Sequence, residues 1–249
     1  MNKIHVGAAA LMTLGVVATS ANAADLAARP YTKAPPMVAA VYDWSGFYVG
    51  ANGGGGWVHD CRNNVTNALF LGCYDASGAV AGGQIGYRWQ AQQWVFGLEA
   101  QGNWADINGS TQNLGNVNNS LRTNIDAFGL FAGQVGYAWD NVLLYAKGGA
   151  AVVDQRFDFV TNATGDIAAT TGFGTRWGGV IGAGIEIGFG GNWSVGFEYD
   201  HIFLDRHDMT FVNPATGLPL ASTYNGGGDV DIATVRLNYK FGGPIVAKY

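Results

Sequence analysis

A chain of 249 residues with 39 glycines, 48% hydrophobic and only 12% charged residues is not disordered, because disorder needs low hydrophobicity and high net charge. Its glycines keep no three-residue period, which excludes a collagen-like rod. A formal charge of −5 lacks the basic footprint of a nucleic-acid binder, so no nucleic-acid partner is expected.

The first segment is a leader. Lys3 and His5 precede an apolar run over 6–18, and Ala21-Asn22-Ala23 supplies a small-x-small cleavage site, so residues 1–23 read as a secretory signal peptide. The run is too short for a membrane anchor, which takes about 20 residues. Residues 24–43, with Arg29-Pro30 and Ala34-Pro35-Pro36, read as a periplasmic linker, flexible or polyproline-like. Later runs do not reach helix-spanning length either; the most apolar, 177–189, contains Glu186 and several glycines.

From Trp44 onward, period-2 alternation predicts strands over 44–57, 78–90, 93–105, 122–139, 142–157, 174–188, 193–204 and 229–241. In the third, Trp94, Phe96, Leu98, Ala100 and Trp104 share one face, and Glu99, Gln101 and Asn103 the other. The connections alternate between long (58–77, 106–121, 158–173, 205–228) and short (90–93, 140–141, 190–192). That is the pattern of a bacterial transmembrane barrel, and in lipid only helices and closed barrels satisfy their backbone groups. The expected fold is all-β, an eight-stranded antiparallel transmembrane β-barrel over 44–249 with short periplasmic turns and long outer loops. The tryptophans agree with it. Trp44, Trp89, Trp94, Trp139 and Trp193 fall at periplasmic strand ends, and Trp57, Trp104 and Trp177 at outer ends, as two aromatic girdles require. From Trp94 to Trp104, at about 3.3 Å per residue and a tilt of about 40–45°, the chain rises roughly 24 Å, close to the apolar band of about 25 Å.

The polar strand faces carry Arg88, Lys147, Arg176, Arg236 and Lys240 against Glu99, Asp126, Glu186, Glu198 and Asp200. An eight-stranded barrel is only wide enough for side chains to fill it, and buried charges are tolerated when paired. A balanced, ion-paired lumen is therefore expected rather than a selective channel.

Cys61 and Cys73 are the only cysteines, and in an exported chain they read as a disulfide. Closing a loop of this length contributes up to about 3 kcal/mol in the chain-entropy model. Metal binding is the weaker reading, since two thiols with only His59 nearby do not complete a tetrahedral site. Asp200, His201, Asp205, His207 and Asp208 cluster near the outer end of the seventh strand. They suit a hydrolase or cation site on the rim, but no nucleophile–base–orienter arrangement can be read from a local cluster. A solvated rim is preferred, with no catalytic, cofactor-binding or metal residues.

The mature start Ala24-Asp25-Leu26, the segments Tyr31-Thr32-Lys33-Ala34-Pro35-Pro36 and Trp44-Ser45-Gly46-Phe47-Tyr48-Val49-Gly50, and the later Gly82-Gly83-Gln84-Ile85-Gly86-Tyr87, Leu144-Tyr145-Ala146-Lys147-Gly148-Gly149 and Leu237-Asn238-Tyr239-Lys240-Phe241-Gly242-Gly243-Pro244 resemble the alphaproteobacterial outer-membrane immunogenic (porin-like, opacity-type) protein family. The resemblance implies an eight-stranded barrel abundant at the cell surface, antigenic and supporting envelope integrity. Some such relatives bind haemin, but no haem-binding residue matches here, so no cofactor is expected. Implied partners are outer-membrane lipid and lipopolysaccharide, the barrel assembly machinery, and host or environmental ligands at the outer loops. Phe241 and Tyr249 both qualify as the closing aromatic that signals assembly. The functional expectation is a non-enzymatic structural and surface-antigen protein of the outer membrane, with a small-solute channel as the alternative.

Overall fold

A computed structural model describes residues 42–242; the expected signal peptide, most of the expected linker and Tyr249 lie outside the described residues. Ten strands follow one another: β1 (Gly46–Asn64), β2 (Leu69–Ala91), β3 (Trp94–Gln112), β4 (Asn119–Trp139), β5 (Val142–Thr161), β6 (Ile167–Phe189), β7 (Trp193–Phe203), β8 (His207–Val212), β9 (Pro219–Gly226) and β10 (Val230–Lys240). Each of β1 to β6 pairs antiparallel with the next, and β10 joins β7 to β1, so eight strands close a ring. Closure is long: β1 meets β10 from Tyr48↔Lys240 to Val58↔Val230. A closed ring leaves no unpaired edge, the condition for crossing lipid with strands.

The turns at one end are tight. Gln92-Gln93 and Asp140-Asn141 each reverse the chain with the first residue at positive φ, 57° and 50°. Gly190 and Gly191 do the same between β6 and β7.

The outward face is apolar along each ring strand. Phe47 (61% exposed), Leu98 (62%), Ile181 (56%) and Val235 (57%) belong to a band that runs round the barrel. Soluble monomers rarely expose contiguous apolar patches above a few hundred Å², so a band of this kind is a lipid-facing surface. Trp89, Trp94, Trp139 and Trp193 are exposed at the turn end of the band, and Trp57, Trp104 and Trp177 at the distal end.

Two expectations need correction here. The four long connections are not loops. β1 to β6 run on past the distal tryptophans as far as Asn64, Leu69, Gln112, Asn119, Thr161 and Ile167. The segment 205–228 supplies the β8–β9 hairpin, which stands in for β7 and β10 at this level: β9 pairs with β1 at Asn63↔Asn225 and Asn64↔Tyr224, and β8 with β6 at Thr170↔Val212. The barrel therefore has a second storey beyond the lipid band. There the side-chain alternation inverts, with Leu71, Leu121, Phe157, Phe159, Met209 and Phe211 buried inside and polar residues such as Asp75, Arg122 and Asp208 facing water. Read locally, that polar outer face has the composition of a loop.

The second correction is Trp44. It is 2% exposed and lies before β1, folded into the turn-end mouth with Tyr42, Val95, Ala138 and Leu143, so it plugs the barrel instead of joining the girdle. Its backbone N–H donates to Gln90 Oε1 at 2.9 Å, and the Tyr42 hydroxyl donates to the Trp193 carbonyl at 3.2 Å.

Native hydrogen exchange tests the second storey. Amides within 59–63 and 70–77 should be strongly protected relative to the tips at 65–68 and 113–118; exchange of both sets at loop rates would show that the barrel ends at the lipid band.

Candidate functional site

The lumen is filled in layers. Nearest the turn end, above the Tyr42–Trp44 plug, sits a network of buried charges. Arg88 Nη2 meets Glu186 Oε2 at 2.8 Å. Lys147 Nζ lies 2.8 Å from Glu198, 3.1 Å from Asp200 and 3.6 Å from Glu99. Arg236 forks between Glu99 and Glu198, one guanidinium nitrogen to each.

Two similar units build this layer. The Tyr48 hydroxyl (β1) donates to Glu99 (β3) across Gly86 (β2), and the Tyr145 hydroxyl (β5) donates to Glu198 (β7) across Gly184 (β6), both at 2.6 Å. The intervening glycines make this reach possible. A Cβ on Gly86 or Gly184 would lie 2.5 Å from the phenol ring and hydroxyl of the tyrosine that passes over it. Arg236 joins the units by holding both glutamates, and Arg88 stacks 4.5 Å from the Tyr48 ring centroid.

Next comes a run of amides. Asn52 donates to Gln84 and Gln84 to Asn238, each at 2.7 Å, and Asn238 donates to Glu186 at 2.9 Å. Then the lumen turns dry. Val58, Ile107, Ile125, Phe128, Val180 and Ile232 belong to an apolar belt in which no member is more than 4% exposed. Beyond it Arg62, fully buried, approaches Asp60 at 3.3 Å and donates to the Tyr74 hydroxyl and to the Arg122 carbonyl at 3.0 Å. Burial pushes the Tyr74 phenol above its ordinary pKa, so it stays a neutral donor and acceptor.

The sequence-derived lumen set divides. Arg88, Glu99, Lys147, Glu186, Glu198, Asp200 and Arg236 share the deep network. Lys240 is buried at the mouth, 3.7 Å from Asp43 Oδ2. Arg176 points inward at the distal end, donating to Gln155 Oε1 at 3.1 Å and to the Asp205 carbonyl. Asp126 is a correction: it is exposed and outside the lumen. The register shifts between Ile125 and Ala127. This bulge inserts one residue, so the inward parity of Phe128 and Leu130 passes to Ile125 and Thr123 and leaves Asp126 outside. The Asp60–Arg62 pair lies past Trp57, where the expected first strand ends; in the sequence the alternation of Val58, Asp60, Arg62 and Asn64 is its signal.

The rim cluster is dispersed. Asp200 points into the lumen, while His201 points out, with Nδ1 2.7 Å from Asp231 and Nε2 3.7 Å from Asp229. Tyr199 donates to the same Asp231 at 2.5 Å. His207 opens β8 opposite Gly226; burial, aided by Arg176, pushes its imidazole below the ordinary pKa. Asp208 accepts from Asn225 at 2.9 Å, and Asp205 is exposed. Cys61 and Cys73 are directly opposed in β1 and β2 and joined as a disulfide on the outer, water-facing side.

The outer membrane protein β-barrel domain family model matches residues 9–241. The 31 kDa outer-membrane immunogenic protein of Brucella melitensis biotype 1 is 28% identical over 234 residues, spanning 90% of this chain and 95% of that protein. The 22 kDa outer membrane protein of Rhizobium leguminosarum bv. viciae is 29% identical over 158 residues, 63% of this chain and 62% of that protein. The crystal structure of outer membrane protein OprG from Pseudomonas aeruginosa aligns with a TM-score of 0.47 at 15% identity, covering 80% of this chain and 97% of that one.

Removing one partner from a buried ionic network leaves the others unpaired, at a cost of about 3–5 kcal/mol. Arg236→Met should therefore lower unfolding stability by that amount in a urea titration of the detergent-refolded protein. The exposed Arg206→Met should stay within about 0.5 kcal/mol of wild type. Equal effects would place Arg236 outside any energetically coupled network.

Proposed function

Because the chain belongs to the outer membrane protein β-barrel domain family and is an outer-membrane protein, we propose that it acts as a non-enzymatic surface barrel that supports the envelope, presents antigenic outer surface and keeps its lumen closed. The observation that carries this reading is the apolar belt around Ile107, Ile125 and Ile232, three residues with no measurable exposure. Among the described residues it lies between the deep charge network and the Asp60–Arg62 pair and interrupts the polar lining of the lumen. An ion crossing the belt would lose its hydration with nothing to replace it.

The dispersal of the rim cluster supports the non-enzymatic part. Neighbouring residues Asp200 and His201 point to opposite sides of the barrel wall, and the carboxylates beside His201 are Asp231 of β10 and Asp229 just before it, neither of them a member of that cluster. Among the described residues His201 is held by the Asp229 and Asp231 carboxylates, and no serine, threonine or cysteine hydrogen-bonds to it as a nucleophile would. The antigenic part draws on the name of the 31 kDa immunogenic relative and on a second storey that stands clear of lipid.

Lipid and lipopolysaccharide are the partners that the apolar band and its tryptophans fit, and the tip residues Leu114 and Leu218, 61% and 65% exposed, offer contact points for host or environmental ligands. The barrel assembly machinery would handle the closing strand β10, where Phe241 donates its N–H to the Phe47 carbonyl at 2.8 Å.

Planar-bilayer recording decides between this reading and a small-solute channel. Purified, folded protein should insert without sustained current. Steady, reproducible openings of uniform size would overturn the closed lumen.

A further inference from the structure

The outward face of β1 and β2, just past Trp57, carries two cross-strand pairs in succession: His59↔Asp75 and Cys61↔Cys73. All four side chains are on the water-facing side of the second storey. His59 and Asp75 have 67% and 84% of their side-chain surface exposed. The ligand atoms of His59, Cys61 and Cys73 lie within 4.8 Å of one another. We propose that, with the disulfide reduced, His59, Cys61 and Cys73 form a three-ligand Zn²⁺ site, oriented by Asp75 and abolished when the disulfide closes.

The geometry supports each part. Cys61 Sγ lies 3.7 Å from His59 Nε2. In a tetrahedral site with Zn–N of about 2.0–2.1 Å and Zn–S of about 2.3 Å, the corresponding ligand–ligand edge is roughly 3.6 Å. The imidazole thus already stands at coordinating distance from one sulfur. Asp75 Oδ1 is 2.7 Å from His59 Nδ1. A carboxylate accepts, so Nδ1 carries the proton and Nε2 turns its lone pair toward the sulfurs. This is the outer-shell carboxylate that metal-bound histidines commonly have. Asp75 is a positioning residue, fixing the tautomer and orientation of the His59 ring. The fourth position stays open to water, the arrangement of three-ligand zinc sites. Separating the sulfurs to a tetrahedral edge requires rotation about two Cα–Cβ bonds and leaves the ladder intact.

The chemistry balances. A dithiol reductant passes two electrons and two protons to the cystine, its own sulfurs becoming a disulfide while Cys61 and Cys73 become thiols. Zn²⁺ then displaces both thiol protons and takes the Nε2 lone pair. Metal and disulfide compete for the same two sulfurs, so the pair is either a covalent staple or a metal clamp across the same two strands. Because binding releases two protons, affinity should rise with pH until the thiols are ionised.

The test uses the full chain refolded in detergent, with heat-modifiable gel mobility as an independent report on the barrel. After reduction, stripping of metal and anaerobic titration with Co²⁺, wild type should bind one ion per chain with thiolate-to-cobalt charge-transfer absorbance that Zn²⁺ abolishes. Oxidised protein and the Cys61→Ser/Cys73→Ser variant should show none. His59→Ala should weaken binding at least about 10-fold, and Asp75→Asn about 10–100-fold with the charge-transfer band retained. Asp75→Glu should restore most of that loss. Absence of the band in reduced wild type, or wild-type affinity in His59→Ala, would overturn the proposal. Neither result would touch the barrel reading, which the mobility shift reports separately.

Discussion

A closed ring of eight strands sets the terms for everything inside it. Lipid demands closure, because no backbone group can be left unpaired there, and eight strands enclose a space that side chains alone must fill. Each inward position is therefore a packing problem with few solutions. Tyr48 and Tyr145 cross where the neighbouring strand offers glycine, at Gly86 and Gly184. Charges enter only with partners, and the amides of Asn52, Gln84 and Asn238 bridge from the charged layer toward the dry belt. Buried ion pairs contribute little net stability, since desolvation offsets most of their attraction. Their weight lies in the penalty for any arrangement that separates Arg236 from Glu99 and Glu198, which favours one register of closure over its neighbours.

The same strands serve two solvents. Inside the lipid band the outer face is apolar and the inner face polar; beyond Trp57, Trp104 and Trp177 the outer face turns polar, and β1 to β6 continue around the apolar cluster of Leu71, Leu121, Phe157 and Phe211 and the buried Asp60–Arg62 pair. The switch is marked in the backbone. Register shifts fall between Trp104 and Ile107, between Ile125 and Ala127, and between Arg156 and Asp158, on three adjacent strands close to or beyond the distal tryptophans. A bulge adds one residue and exchanges the faces, so β4 crosses from one storey to the other without losing its inward apolar set. The β8–β9 hairpin completes the upper ring where β7 and β10 have already ended.

Much of the lower storey was legible because period-2 alternation is a property of one strand at a time. The ring strands, the tight turns at 140–141 and 190–192, the outward tryptophans other than Trp44, and seven members of the deep charge network all follow from reading each segment by itself. The second storey was not legible by the same rule. A stretch such as 69–77 has polar residues facing water and apolar ones facing in, and without knowing that a partner strand lies beside it, its composition is that of a loop. Asp126 failed for a related reason. Parity counted along β4 is correct on either side of the bulge but not across it, and a bulge is created by the neighbours.

What the sequence determined by itself is therefore the local content: the lipid-facing half of each ring strand, the outward tryptophans other than Trp44, and the charged residues of the lumen other than Asp126. What only the tertiary structure decided is which groups meet. Arg236 holds Glu99 and Glu198 across a ring that brings β3, β7 and β10 together. Trp44 turns inward because a mouth exists for it to fill, and Asp75 faces His59 because β1 and β2 continue past the membrane in register. Alternation specifies the face a side chain takes, whereas its partner depends on closure, bulges and register, which are set by strands far apart in the chain.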